Sequence, residues 1–273
     1  MVRLCAFVHG TKTPVSWALT GLVCAVLLGC GSLTAAPEGA DEAKAPPPAL
    51  SAPAQARAAA LFKTPVEPTW ALYRWPGKRM AAFVPDRVMG RDALRVDANS
   101  TVSVLRQRFE PALQRPGQLR FAWKAQALPP GANLRDGALE DSAVRVVLAF
   151  DGDRSLLSER ALRLSDLSQA LTGEPLPYAT LVYVWSETEP VGTVIHNPRT
   201  DRIRKLVVSS GTEALGRWKD HERDVQADFA RAFGEAPGAV LSVAVMSDTD
   251  NTRSRTRAWF GGLELTQAPP LTP

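Results

Sequence analysis

From Leu61 onward the chain is a succession of short apolar runs: Trp70 to Trp75, Met80 to Val84, Ala93 to Val96, Val102 to Phe109, Leu119 to Ala127 and Val144 to Phe150. Gly, Pro, Asp and Asn punctuate them, as in Pro85-Asp86, Asp97-Ala98-Asn99 and Pro129-Pro130-Gly131. Runs of this length between turn residues predict the strands of an antiparallel sandwich. Alternation is clearest in Leu119-Arg120-Phe121-Ala122-Trp123, which puts Leu119, Phe121 and Trp123 on one buried face. Tyr178 to Trp185 is apolar on both faces and reads as a central strand covered on both sides. Val207-Val208 and Leu241 to Met246 add two more strands. Helical spacing occurs twice: Leu157, Ala161, Leu164, Leu167 and Leu171 ending at Gly173, and Val225, Phe229, Ala232 and Phe233 ending at Gly234, with Asp220 as the N-cap. The expected fold is mainly β: a single antiparallel, jelly-roll-like β-sandwich over 62–267 with two accessory helices, followed by a disordered tail at 268–273. Its expected core includes Phe121, Trp123, Val146, Leu148, Val182, Val184, Val243 and Val245.

The stretch from Leu241 to Glu264 combines an apolar strand, an acidic hairpin turn and an aromatic strand. Asp248, Asp250 and Asn251 offer closely spaced oxygens, the ligand type that calcium takes. They are also the residues that close turns on their own backbone, and the position directly after a strand favours that reading. Beyond the turn, Arg255, Arg257 and Trp259 share one face of the last strand, and Thr256, Ala258 and Phe260 take the other. Two guanidiniums beside an indole make a candidate ligand-binding face. Trp185, Trp218 and Arg223 complete the candidate ligand-binding set.

The N-terminus carries a different pattern. Arg3 and Lys12 precede an apolar run of 14 residues, Val15 to Leu28, which is the length of a signal-peptide core and too short for a membrane span. It ends in Leu27-Leu28-Gly29-Cys30, which resembles the lipobox of bacterial lipoproteins. That resemblance implies a signal peptide at 1–29, lipidation of Cys30, and a periplasmic, lipid-anchored location; Gly31 after the cysteine implies the outer membrane. Residues 30–61, rich in Pro and Ala, read as a disordered tether. Cys5 and Cys24 fall in the removed segment and Cys30 is lipidated, so no disulfide is expected in the folded part.

Composition narrows function. The whole chain of 273 residues has a formal charge of +4, and removal of Arg3 and Lys12 leaves +2, too little for nucleic-acid binding. Phosphate-cradling, dinucleotide-binding and nucleophile-elbow motifs are absent from the sequence. His221-Glu222 opens like a zinc-protease helix, but Val225 stands where the second histidine belongs. The favoured function is a non-catalytic binding module for a glycan or another cell-envelope ligand, with no cofactor unless the acidic turn holds calcium. The alternative is an envelope polysaccharide hydrolase working through acids such as Asp141 and Asp248.

Several short stretches together carry a family resemblance: Glu140-Asp141-Ser142-Ala143-Val144-Arg145, Tyr183-Val184-Trp185, Ser210-Gly211, Trp218, Arg223-Asp224-Val225, Phe233-Gly234 and Met246 to Thr252. In this order they resemble the bacterial domain-of-unknown-function family 3047, over roughly Val66 to Leu265. The resemblance implies an exported β-rich domain and no particular chemistry. The ending, an aromatic strand after an acidic loop, also resembles galactose-binding-type jelly rolls at the level of fold.

Overall fold

The computed structural model describes residues 49–269. A helix, α1 (Ala52–Leu61), runs into a two-residue strand, β1 (Phe62–Lys63). Then follow β2 (Ala71–Tyr73), β3 (Phe83–Val88), β4 (Arg91–Asn99), β5 (Val102–Leu113), β6 (Pro116–Ala125) and β7 (Ser142–Phe150). After a short 3-10 turn come α2 (Glu159–Thr172), β8 (Ala179–Ser186), β9 (Val194–His196) and β10 (Ile203–Ser210). The chain closes with β11 (Lys219–Asp224), α3 (Val225–Phe233), β12 (Val240–Asp248) and β13 (Arg255–Gln267).

Two sheets face each other. The first runs β11-β6-β13-β4-β3, with β1 added beside β13; the second runs β2-β5-β12-β7-β8-β10-β9. Most pairings are antiparallel, but β8 with β10 and β1 with β13 are parallel, so both sheets are mixed. Between them lies one large core containing Leu119, Phe121, Trp123, Phe260 and Leu94 from the first sheet and Leu105, Val146, Leu148, Tyr183, Trp185, Val243 and Val245 from the second. All of its buried residues lie between Ala54 and Leu265, so this part of the chain carries its own folding core. Val182 and Val184 are buried as expected, yet in a second cluster. They point to the other side of their sheet, where Leu134 packs on them together with Ile195 and Val207. Lys205 holds that covering loop, donating 2.7 Å bonds to the Leu134 carbonyl and the Glu140 carboxylate. This is the double covering that the wholly apolar run 178–185 requires.

Both expected helices form. In α2 the Ser158 hydroxyl accepts from the Ala161 amide and Gly173 takes the left-handed cap. The second begins later than the sequence pattern implied: Asp224, not Asp220, caps α3 by accepting from the Ala227 amide. Residues 219–224 are instead strand β11, paired to β6 with His221 opposite Phe121. Its alternation of more buried Lys219, His221 and Arg223 with exposed Asp220, Glu222 and Asp224 has the strand period. The end of the stretch read as a tether is not disordered: Ala52–Leu61 is helical, and residues 30–48 of it lie outside the described residues. Ala54 and Ala58, four residues apart, are completely buried. Small side chains let this helix lie close on β3 and β4, and they leave no large apolar periodicity to read.

The segment 249–254 is not a hairpin turn. β12 sits in the middle of the second sheet, between β5 and β7, and β13 in the middle of the first, between β4 and β6. The acidic turn is therefore an arch that carries the chain from one layer to the other.

Candidate functional site

The arch is held by a carboxylate from elsewhere in the chain. Asp141, just before β7 and buried, accepts from the amides of Asn251 (3.2 Å) and Thr252 (2.8 Å) and from the Thr252 hydroxyl (2.6 Å). The Asn251 side-chain amide donates to the Gly137 carbonyl. Asp248 lies 3.2 Å from the buried Arg145 guanidinium, and Asp250 pairs closely with Lys78. Oxygens of Asp141, Asp248 and Asp250 come within 4.8 Å of one another. Burial pushes the Asp248 carboxyl up to about 7 against the pull of Arg145, and the neighbouring Asp250 and Asp141 raise it further. Asp248 Oδ1 is buried with no donor beside it. Arg145 and Lys78 already supply positive charge to this cluster, which leaves a divalent cation little to neutralise.

An open groove lies on the outer face of the first sheet, where β13 exchanges β4 for β1 as its neighbour. The register with β6 slips between Phe260 and Leu263, and the bulge consists of Gly261 and Gly262. A side chain on Gly261 would stand 3.1 Å from the Trp218 ring and 3.2 Å from Ala122. Glycine at 261 thus lets Trp218 lie on the strand without either neighbour giving way. The Trp218 indole donates to the Val88 carbonyl at 3.2 Å, and the Arg91 guanidinium lies 5.6 Å from the ring centre. The groove encloses about 600 Å³. Its walls carry Lys63, Arg91 and Arg120 against Asp92, Asp220, Glu222 and Glu264, three cations and four carboxylates. Arg91 pairs with Asp220 at 2.6 Å and Arg120 with Glu222 at 2.8 Å, all four side chains being exposed. His221 also borders it, hydrogen-bonded to Ser209 at 3.0 Å, and burial lowers its pKa to about 4 so that it is neutral.

Further along the same face stand Arg255, Arg257 and Trp259. Arg255 donates to Asn99, Arg257 pairs closely with Asp97, and the Trp259 indole donates to Asp86 at 2.9 Å. The Lys124 ammonium sits 3.6 Å above the Trp259 ring, and burial lowers its pKa. Trp259 is only 5% exposed, so the two arginines and not the indole meet solvent here. Trp185 lies in the core with its indole bonded to the Gly211 carbonyl, which removes it from any surface groove. Arg223 is clamped to Asp228, which also accepts from the Tyr183 hydroxyl; this network fastens α3 to the sandwich. Of the candidate ligand residues, none lines the groove itself; Trp218 packs against its Gly261, and Arg255, Arg257 and Trp259 stand further along the same face. Arg91, Arg120, Glu222 and the two glycines were not singled out as ligand residues by sequence reasoning. The Gly261-Gly262 pair inside an aromatic strand was their one visible signal.

Compared with known families, residues 68–264 match the model described as "Protein of unknown function (DUF3047)". The chain belongs to this family. The arch and its Asp141 clamp join two of the stretches that carry the DUF3047 resemblance, Glu140 to Arg145 and Met246 to Thr252. No curated protein matches the sequence. Among solved structures, the DUF3047 chain is similar to the xyloglucanase domain of NopAA, a type three effector from Sinorhizobium fredii, at 12% identity and a TM-score of 0.38, covering 73% of this chain and 93% of that one. It is also similar to a non-crystalline cellulose specific carbohydrate-binding module, CBM28, at 10% identity and a TM-score of 0.33, covering 72% of this chain and 86% of the other. A carbohydrate-binding module of family 29 is similar at 11% identity and a TM-score of 0.31, covering 76% and 86%.

Proposed function

We propose that this chain is a glycan-binding module held at the periplasmic face of the cell envelope, in the outer membrane, by lipid on Cys30, which lies outside the described residues. The observation that carries the binding reading is the groove at Gly261 and Gly262. Its bare backbone floor and nearly balanced exposed charges, with the Trp218 ring packed on Gly261 beside it, suit a neutral, hydroxyl-rich ligand better than an anion. An apolar sugar face packs on an indole, and alternating donors and acceptors satisfy the hydroxyls around it. The hydrolase alternative names Asp141 and Asp248. Both are buried, and Asp141 already accepts three hydrogen bonds, so the reading rests on binding.

Gly262 provides the test. A Cβ there would have only the Leu61 carbonyl oxygen within 4 Å, at 3.9 Å. Gly262→Val therefore fills the groove while the fold persists. Affinity electrophoresis through gels containing soluble neutral polysaccharides should show retardation of the wild type, reduced in Gly262→Val and Trp218→Ala. Wild-type mobility equal in all gels would refute the glycan reading. Fatty-acid labelling of the wild type but not of Cys30→Ala tests the anchor separately.

A further inference from the structure

Helix α2 exposes the side that an amphipathic helix normally buries. Its buried residues are Ala161 and Ser165, whereas Leu167 is 53% and Leu171 57% exposed. Arg160, half-buried Leu164, Leu167 and Leu171 recur at spacings of four, three and four, which places them on one helix face. Among the described residues Arg160 has no ion-pair partner. It also borders a pocket of about 240 Å³ shared with Arg199 and His196, in which Asp201 is the lone acid. Arg204 lies against His196 and adds a third guanidinium beside this pocket. An apolar stripe beginning at a cluster of guanidiniums is complementary to the boundary of an anionic bilayer: headgroups at one end, acyl chains along the other.

We infer that α2 is a membrane-docking face, with Leu164, Leu167 and Leu171 entering the headgroup boundary and Arg160 and Arg199 meeting anionic lipid headgroups. The helix lies on the bilayer and does not cross it: no described helix is long and apolar enough to do so. Reach allows the contact, since Cys30 precedes Ala49 by 19 residues, at most roughly 65 Å of chain. This reach argument rests on the lipid anchor proposed above; the face itself does not. A leucine face of this kind could instead pair with a second copy of the chain, and the charged rim favours lipid.

The test uses a chain beginning at Gly31 and lacking Cys30, which keeps the whole folding core. Failure of the anchor therefore cannot mimic failure of the face. Sedimentation with vesicles of phosphatidylcholine mixed with phosphatidylglycerol should carry the protein down, and vesicles of phosphatidylcholine alone should carry much less. Arg160→Gln should weaken partition about fivefold. Leu167→Ser combined with Leu171→Ser should weaken it roughly tenfold or more. These side chains are exposed, so the melting transition and polysaccharide retardation should stay unchanged in both variants. Equal partition of the leucine variant and the parent would overturn the inference. So would a concentration-dependent dimer, seen without vesicles and lost in the leucine variant, because a second copy would then be the occupant.

Discussion

The arch cluster and the first-sheet groove use the same side chains, carboxylates and guanidiniums, in opposite ways. At the arch, Asp141, Asp248 and Arg145 are buried and face one another or the backbone. In the groove, Arg91, Asp220, Arg120 and Glu222 pair at similar distances with their heads in water. Burial decides the difference. A charge taken from water must find its partners inside the protein, and losing one leaves an uncompensated group. An exposed pair exchanges its partner for a ligand or for water at little cost. The arch chemistry therefore specifies structure, and the groove chemistry remains available for binding.

Asp141→Ala should break this contrast most visibly. It strips two amides and a hydroxyl of their acceptor, and a loss of about 3–5 kcal/mol is expected in urea unfolding. A loss under about 1 kcal/mol would show that the clamp is dispensable.

The pH dependence sharpens the comparison. Asp248 is raised from 3.8 to about 7, so the folded chain holds a proton that the unfolded chain has released, and its contribution to stability is lost as pH rises from about 4 to 7. His221 is lowered from 6.5 to about 4, so the unfolded chain takes up the proton first, and stability is lost as pH falls through that window. The two slopes oppose each other. In Asp248→Asn the opposing slope is gone while that of His221 remains, and stability should climb by on the order of 2–3 kcal/mol between pH 4 and 6.5. Urea midpoints measured against pH check this; a variant curve that follows the wild type would contradict the assignment.

Asp220→Asn should cost less than about 1 kcal/mol, since its pair with Arg91 is exposed. It should nevertheless weaken polysaccharide retardation, separating binding from stability. The smallest effect concerns calcium. With Arg145 and Lys78 already facing the three arch carboxylates, millimolar calcium should leave the melting temperature where it is. A rise that is lost in Asp250→Ala would identify a cation site.

Much of the fold was legible because it rests on local periodicity. Alternation located β6, the double-sided run located β8, and Gly173 and Gly234 marked helix ends; each signal is written in neighbouring residues. Helix α1 was not legible, because its contact uses alanines, and β11 was mistaken for a helix start because Asp220 and Asp224 are both plausible caps.

The site was less legible. Trp218 and the row Arg255, Arg257 and Trp259 could be named from residue type, and their shared strand face followed from period two. Which residues they meet could not be named, because those partners come from strands far apart in the chain: Arg91, Ala122 and Gly261 converge only when the sheet order is set. Asp141 could be named as a candidate acid, yet its role as the clamp of residues 251 and 252 depends on a separation of more than a hundred residues closing to hydrogen-bond distance. The sequence by itself determined the strand-rich class, the family and the residues able to do chemistry, since these depend on local pattern and residue type. Only the tertiary structure decided which charges are buried and which face water, and so which hold the fold and which stay free of it, because burial belongs to the packing of the two sheets and to no single stretch of chain.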